Sequence, residues 1–296
     1  MTLRLAAVCV AFLISGFNQQ AIAASIYLDD FLGREVQLKS PATRIIALAP
    51  HIVENVFSAG AGDRLIAVVA HSDYPAKARK LPRVGSYVDW SFETIVGLQP
   101  DLVILWDSGN GTMRRKRLER LGFTVFVSEL RRLQDIPKEI RAIGKMAGTA
   151  SVSDAEANRI EAKLRQLRDR YGHRPPVRVF YQVWNSPLQT LSGEHMVSDV
   201  IRLCGGVNVF ADEPMLAPKI SKEAVIKADP DVILASGMGE SRPEWLDEWR
   251  VYKNMKAVRL DALQFVPPDY IQRPTARILK GAQLVCEQLE EVRGRM

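Results

Sequence analysis

The stretch Ser151-Val-Ser-Asp-Ala-Glu-Ala-Asn-Arg-Ile-Glu-Ala-Lys-Leu-Arg-Gln-Leu-Arg-Asp-Arg-Tyr-Gly172 divides the chain into two halves. Val152, Ile160, Leu164, Leu167 and Tyr171 recur at helical spacing, while Asp154, Glu156, Arg159, Lys163, Arg165 and Arg168 fill the other faces. Ser153 with Glu156 three residues on reads as a capping-box start, and Gly172 followed by Pro175-Pro176 as a stop. A helix of this length spans roughly 30 Å, the width of a small domain. On its N-terminal side lies Ser91-Phe-Glu-Thr-Ile-Val-Gly-Leu-Gln-Pro-Asp-Leu-Val-Ile-Leu105, and on its C-terminal side Ser221-Lys-Glu-Ala-Val-Ile-Lys-Ala-Asp-Pro-Asp-Val-Ile-Leu234. Each reads S-x-E, a short amphipathic helix, Pro-Asp, then an apolar β-branched run. The repetition predicts two related α/β lobes, each with a parallel-type sheet flanked by helices, joined by one long rigid helix. The alternative is an ordinary helix inside a single domain.

The N-terminus reads as an export signal. Arg4 is its charged region, Leu5 to Phe17 its apolar core and Ala21-Ile-Ala23 its small-residue cleavage site. Cys9 lies inside the apolar core rather than at the cleavage point, which excludes a lipoprotein signal. No later apolar run approaches the ~20 residues of a membrane span. The expected organisation is a signal at 1–23, an N-terminal lobe at 24–150, a connecting helix at 151–172 and a C-terminal lobe at 173–296. An exported, unanchored protein is retained near its cell by an outer membrane, which predicts a periplasmic location.

The formal net charge of +6 falls to +5 once Arg4 is removed with the signal. The basic runs Arg114-Arg-Lys-Arg117 and Arg131-Arg132 lack aromatic interleaving, so they read as solvated faces and no nucleic-acid partner is expected. Of three cysteines, cleavage leaves Cys204 and Cys286. In an oxidising compartment an even pair favours a disulfide, the alternative being two buried thiols. These two and the four scattered histidines form no zinc motif, so no metal site is expected.

Short strands at Arg44–Leu48, Leu65–Val69, Leu102–Leu105 and Val125–Val127 alternate with helices, the last ending near Met146. The second half repeats the alternation, with strands at Val177–Val183, Val232–Ala235 and Gln264–Val266, a helix over Trp245–Met255 and a terminal helix over Thr275–Val292. Parallel sheets bind ligands beyond the carboxyl ends of their strands. There the chain places His71, Tyr87, Trp90, Trp106, Trp184 and Asp269-Tyr-Ile-Gln-Arg273, a rim suited to a large, flat, partly polar ligand. His51 reads as a helix-start residue beside Pro50, with coordination of a metal-bearing ligand as its alternative. The G-x-G pairs lack the rest of a dinucleotide fingerprint, and no nucleophile elbow, phosphate loop or H-E-x-x-H is present, so no catalysis and no cofactor is expected.

Pro50-His-x-x-Glu54, Ser72-Asp-Tyr-Pro75, Glu93 to Trp106, Cys204-Gly-Gly206 with Asn208-Val-Phe210, and Ser221-x-Glu223 follow the order seen in class III periplasmic binding proteins. The chain resembles that family, which serves ABC importers of cobalamin, iron-siderophores and haem, over nearly its whole mature length. Ser72-Asp-Tyr-Pro75, Trp106-x-x-Gly-Asn110, the paired cysteines and Asp269-x-x-x-Arg273 bring it nearest the cobalamin-binding members. The resemblance implies corrinoid contacts at His71, Tyr87, Trp106, Asp269, Tyr270, Ile271, Gln272 and Arg273, limited hinge motion, and a protein that is monomeric when free. Position 71 is His where those members carry Tyr, 87 is Tyr where they carry Trp, and Ala217 stands where an aromatic precedes Pro218. A different corrinoid, a ferric siderophore or haem is thus an alternative ligand, and a secreted α/β enzyme the alternative class. Glu93 and Glu223 sit alike in the two repeats; they are either caps in a helix's first turn or, as the resemblance implies, the acids that dock into arginine pockets of a dimeric permease.

Overall fold

The computed structural model describes residues 25–296 apart from 238 and 240. The signal read at residues 1–23, including Cys9, lies outside the described residues. An antiparallel hairpin, β1 (Ile26–Asp29) and β2 (Glu35–Leu38), comes first. The N-terminal half then runs β3 (Ile45–Ala47), α1 (Pro50–Ser58), β4 (Leu65–Val68), α2 (Phe92–Leu98), β5 (Leu102–Leu105), α3 (Asp107–Asn110), α4 (Thr112–Arg120), β6 (Val125–Val127) and α5 (Asp135–Ala147). The long helix α6 (Ala150–Tyr171) follows. The C-terminal half runs β7 (Val177–Gln182), α7 (Met196–Leu203), β8 (Gly206–Asn208), α8 (Lys222–Ala228), β9 (Val232–Ala235), α9 (Lys256–Arg259), β10 (Leu263–Phe265), α10 (Pro268–Ile271) and α11 (Ile278–Arg293).

One topology is used twice. The sheets have orders β4-β3-β5-β6 and β8-β7-β9-β10, parallel throughout. Strands β5 (LVIL) and β9 (VILA) are buried along their whole length, as parallel strands covered on both faces must be. The S-x-E repeats explain how each half closes on itself. Ser91 Oγ accepts from Thr94 N at 3.0 Å and Ser221 Oγ from Ala224 N at 3.2 Å, capping α2 and α8. Each helix ends on a residue in the left-handed region, Gln99 (φ 45°) and Asp229 (φ 42°). The aspartate two residues on then ties the turn to the central strand: Arg44 N donates to Asp101 Oδ1 at 3.0 Å and Arg178 N to Asp231 Oδ2 at 2.8 Å. Even the arginine side chains match, reaching Leu98 O and Ala228 O.

Helix α6 begins earlier than its capping-box signature indicates. Ser153 is not the cap: it lies inside the helix, fully buried, and donates back to Ala150 O at 3.0 Å. Glu156 pairs with Arg159 at 2.7 Å instead of closing a box. Tertiary packing overrides the local signal, because Ser153 drops into a gap on α5 left by Gly144. The buried stripe is Ser153, Ala157, Ile160, Leu164, Leu167 and Tyr171, whereas Val152 is half exposed. This stripe packs on α5, α7 and α11, so one apolar cluster continues from the first sheet to the second.

Three further readings change. The helix over Trp245–Met255 is a 3-10 stretch, Glu244–Val251; the terminal helix starts at Ile278; and Trp90 is a core residue, not a rim one. Cys204, at the end of α7, is bonded to Cys286 of α11. In the loop-entropy account a cross-link across 82 residues disfavours the unfolded chain by roughly 4–5 kcal/mol.

Two glycine substitutions test this packing. A Cβ at Gly144 would meet Ser153 Oγ at 1.9 Å, so Gly144→Ala should destabilise by about 1–3 kcal/mol. A Cβ at Gly97 of α2 meets nothing within 4 Å, so Gly97→Ala should stabilise by roughly 0.5–1 kcal/mol. Denaturant unfolding of the two variants should move in opposite directions; equal shifts would refute the α5–α6 contact.

Candidate functional site

The carboxyl ends of the two sheets face each other across a cleft of about 370 Å³. From the first half it is lined by His51 beyond β3, Tyr87 in the loop after β4, Trp106 and Ser108 beyond β5, and Glu129, Leu130 and Arg131 beyond β6. From the second come His195 and Met196 at the start of α7, Leu216 beyond β8, and Ile271 to Pro274 beyond β10. Every wall residue therefore follows a strand end, the position where loop side chains of such sheets converge.

The aromatic wall is held from behind. Asn110 accepts from Trp106 N at 2.7 Å through Oδ1, while its Nδ2 donates to Leu48 O and to Tyr87 O. One buried amide thus fixes the ends of β3 and β5 and the Tyr87 loop together. Gly109 leaves room for the indole: a Cβ there would stand 2.0 Å from the Trp106 ring. This explains the Trp106-x-x-Gly-Asn110 motif in physical terms. The Trp106 ring centroid lies 6.3 Å from that of Tyr87 and 5.5 Å from that of His51, the latter edge to face.

The polar groups of the cleft are equally constrained. Glu129 accepts from Ser108 N at 3.0 Å and Oγ at 2.8 Å and pairs with Arg131. Arg273 is held by Glu54 of α1 at 3.1 Å and by Asp269 at 3.1 Å. Glu54 is almost wholly buried and also receives the fork of Arg277, whose third nitrogen bonds Asp269 at 3.0 Å. Burial, reinforced by the charge of Arg273, pushes His51 down to about 3, so its ring is neutral. Burial, with Arg131 nearby, pushes His195 down to about 4. His195 Nδ1 accepts from Val197 N at 3.1 Å, so this neutral ring carries its proton on Nε2.

Of the residues read from the sequence, Tyr87, Trp106, Ile271, Gln272 and Arg273 line the cleft. His71, Asp269 and Tyr270 are not among the lining residues. His71 is exposed in a turn after β4, Asp269 orients Arg273 and Arg277, and the Tyr270 ring lies under Lys280. Trp184 is exposed outside the cleft, with Nε1 bonded to Ser186 O. His51, Glu129, Arg131, His195, Met196 and Leu216 are additional wall residues. Of these the sequence marks His51, by its place at a strand-to-helix turn, and Arg131, read there as part of a solvated basic face but found on the cleft wall. Glu93 and Glu223 lie away from the cleft, fully exposed on the first turns of α2 and α8. Each carboxylate is held below its usual range by its own backbone N–H and then by the capping serine.

Among the described residues no helix is long and apolar enough to cross a membrane. A family profile described as "Periplasmic binding protein" matches residues 45–270. The chain is 37% identical over 250 residues to the vitamin B12-binding protein of Vibrio cholerae serotype O1, covering 84% of this chain and 90% of that protein. It is 33% identical over 270 residues to the vitamin B12-binding protein of Yersinia pestis, covering 91% and 93%. A crystal structure of the periplasmic vitamin B12-binding protein of Vibrio cholerae superposes with a TM-score of 0.79 at 36% identity, covering 86% of this chain and 98% of that one. A periplasmic haem-binding protein from Roseiflexus shares the fold at 22% identity, with a TM-score of 0.73 over 85% and 99% of the two chains. With paired parallel sheets, an interposed cleft and a match along most of its length, this chain belongs to the periplasmic binding protein family.

Proposed function

We propose that this protein captures vitamin B12, or a closely related corrinoid, between its lobes (residues 24–150 and 173–296) and delivers it from the periplasm to an ABC importer. The observation that carries this reading is the prearranged aromatic wall of Trp106 and Tyr87 in a chain so similar to vitamin B12-binding proteins. Trp106 and Tyr87 offer faces to a large flat ring, while Gln272, Arg273 and the Nε2–H of His195 offer donors to its peripheral groups. On this reading the protein acts by binding, without a catalytic step or a cofactor, as its similarity to binding proteins supports. Titration calorimetry with cyanocobalamin, haemin and a ferric siderophore tests the ligand. Tight binding of cyanocobalamin alone is expected; tight binding of only one of the others would replace it. Burying one aromatic face is worth about 1.5–3 kcal/mol, so Trp106→Ala should weaken cyanocobalamin at least about tenfold. An unchanged affinity would remove Trp106 from the site.

The partner follows from the repeated S-x-E motif. Two equivalent lobes present one exposed carboxylate each, Glu93 and Glu223, a pattern matched to a two-fold symmetric dimeric permease. Carboxylate–guanidinium contacts are bidentate and directional, so two of them also set the docking orientation. Glu93→Arg with Glu223→Arg should abolish uptake in vesicles carrying the importer while ligand affinity and folding persist. Transport that survives this double reversal would reduce both acids to helix caps.

A further inference from the structure

A second cavity, about 710 Å³, is nearly twice the volume of the cleft and shares no lining residue with it. It is a trough between α6 and α7, closed at one end by the segment leading into α5. Glu161, Leu164, Arg165 and Arg168 line it from α6, spaced as one helical stripe; Asp199, Arg202 and Leu203 do the same from α7. The floor is apolar, since Leu133, Leu164 and Leu203 are all buried there. The rim is cationic.

The charges on the rim do not cancel. Asp199 is shared by Arg132, at 3.3 Å, and Arg202. Glu161 is engaged by Arg141, which lies outside the trough. Arg165 and Arg168 are exposed and make no ion pair among the described residues, so two like charges stand one turn apart over an apolar floor. An ordinary solvated helix face is convex and has no such floor. Guanidinium groups recognise carboxylate, sulfonate and phosphate through paired hydrogen bonds, and the volume lies within the range of small-molecule sites.

We propose that this trough is a second binding site, for an amphipathic organic anion. Its flat or aliphatic body would lie on Leu133, Leu164 and Leu203, with its acidic group between Arg165 and Arg168. The site does not depend on the identity of the cleft ligand.

The probe is 1-anilinonaphthalene-8-sulfonate, titrated by fluorescence into the ligand-free protein, with circular dichroism to confirm that each variant is folded. A saturable component is expected that Arg165→Glu with Arg168→Glu weakens at least tenfold and Trp106→Ala leaves unchanged. The uncharged analogue N-phenyl-1-naphthylamine should bind at least tenfold more weakly. A titration indifferent to the double reversal, saturable binding that disappears in Trp106→Ala, or equal binding of the uncharged analogue would each overturn the proposal.

Discussion

One buried carboxylate joins the two halves of this protein beside the cleft. Glu54, on α1 of the first half, receives two nitrogens of Arg277 and one of Arg273 from the second. A buried acid without compensation is costly, and removing one partner of such a group typically destabilises by about 3–5 kcal/mol. The network's net contribution to stability is smaller than that figure, because desolvation opposes it. What it supplies is geometry: Arg273 is oriented toward the cleft by the same acid that joins the halves, and Asn55, the next residue, donates to Pro274 O at 3.0 Å. A second bridge, from Leu133 N and Arg132 to Asp199, closes the other side. Helix α6 packs on helices from both halves and reinforces the junction.

The internal repeat explains why function is distributed as it is. Equivalent strand orders place equivalent loops at both sheet ends, so each half contributes a helix-start histidine, His51 or His195, to the cleft. The same duplication puts an exposed acid on each capped helix, facing elsewhere. The cleft and the two exposed acids thus occupy different faces of one repeated unit.

Much of this was legible because it is local. The S-x-E helices, their Pro-Asp turns and the apolar strand runs are written in contiguous residues, and so is the length of α6. What was missed depends on distant contacts. The cap of α6 is misread because Ser153 resembles a capping residue until Gly144 makes room for it. Strand β8, Gly-Val-Asn, has no apolar run to mark it. In the cleft, Trp106, Tyr87 and Ile271 to Arg273 stood out by type and position. Glu129, Arg131, Met196 and Leu216 are ordinary in sequence and acquire their place only when the sheets face each other. Nothing local marks Glu139 either, which is buried against Asn55 and pushed up to about 7 by desolvation.

The Glu54 junction should hold the halves at a nearly fixed angle. Spin labels placed at exposed Val96 of α2 and Ile226 of α8 report that angle directly by pulsed dipolar spectroscopy. A single distance distribution, shifting by no more than ~3 Å on saturation with cyanocobalamin, is the predicted result, in line with partners whose backbones move little on binding. A broad ligand-free distribution that collapses on binding would contradict it.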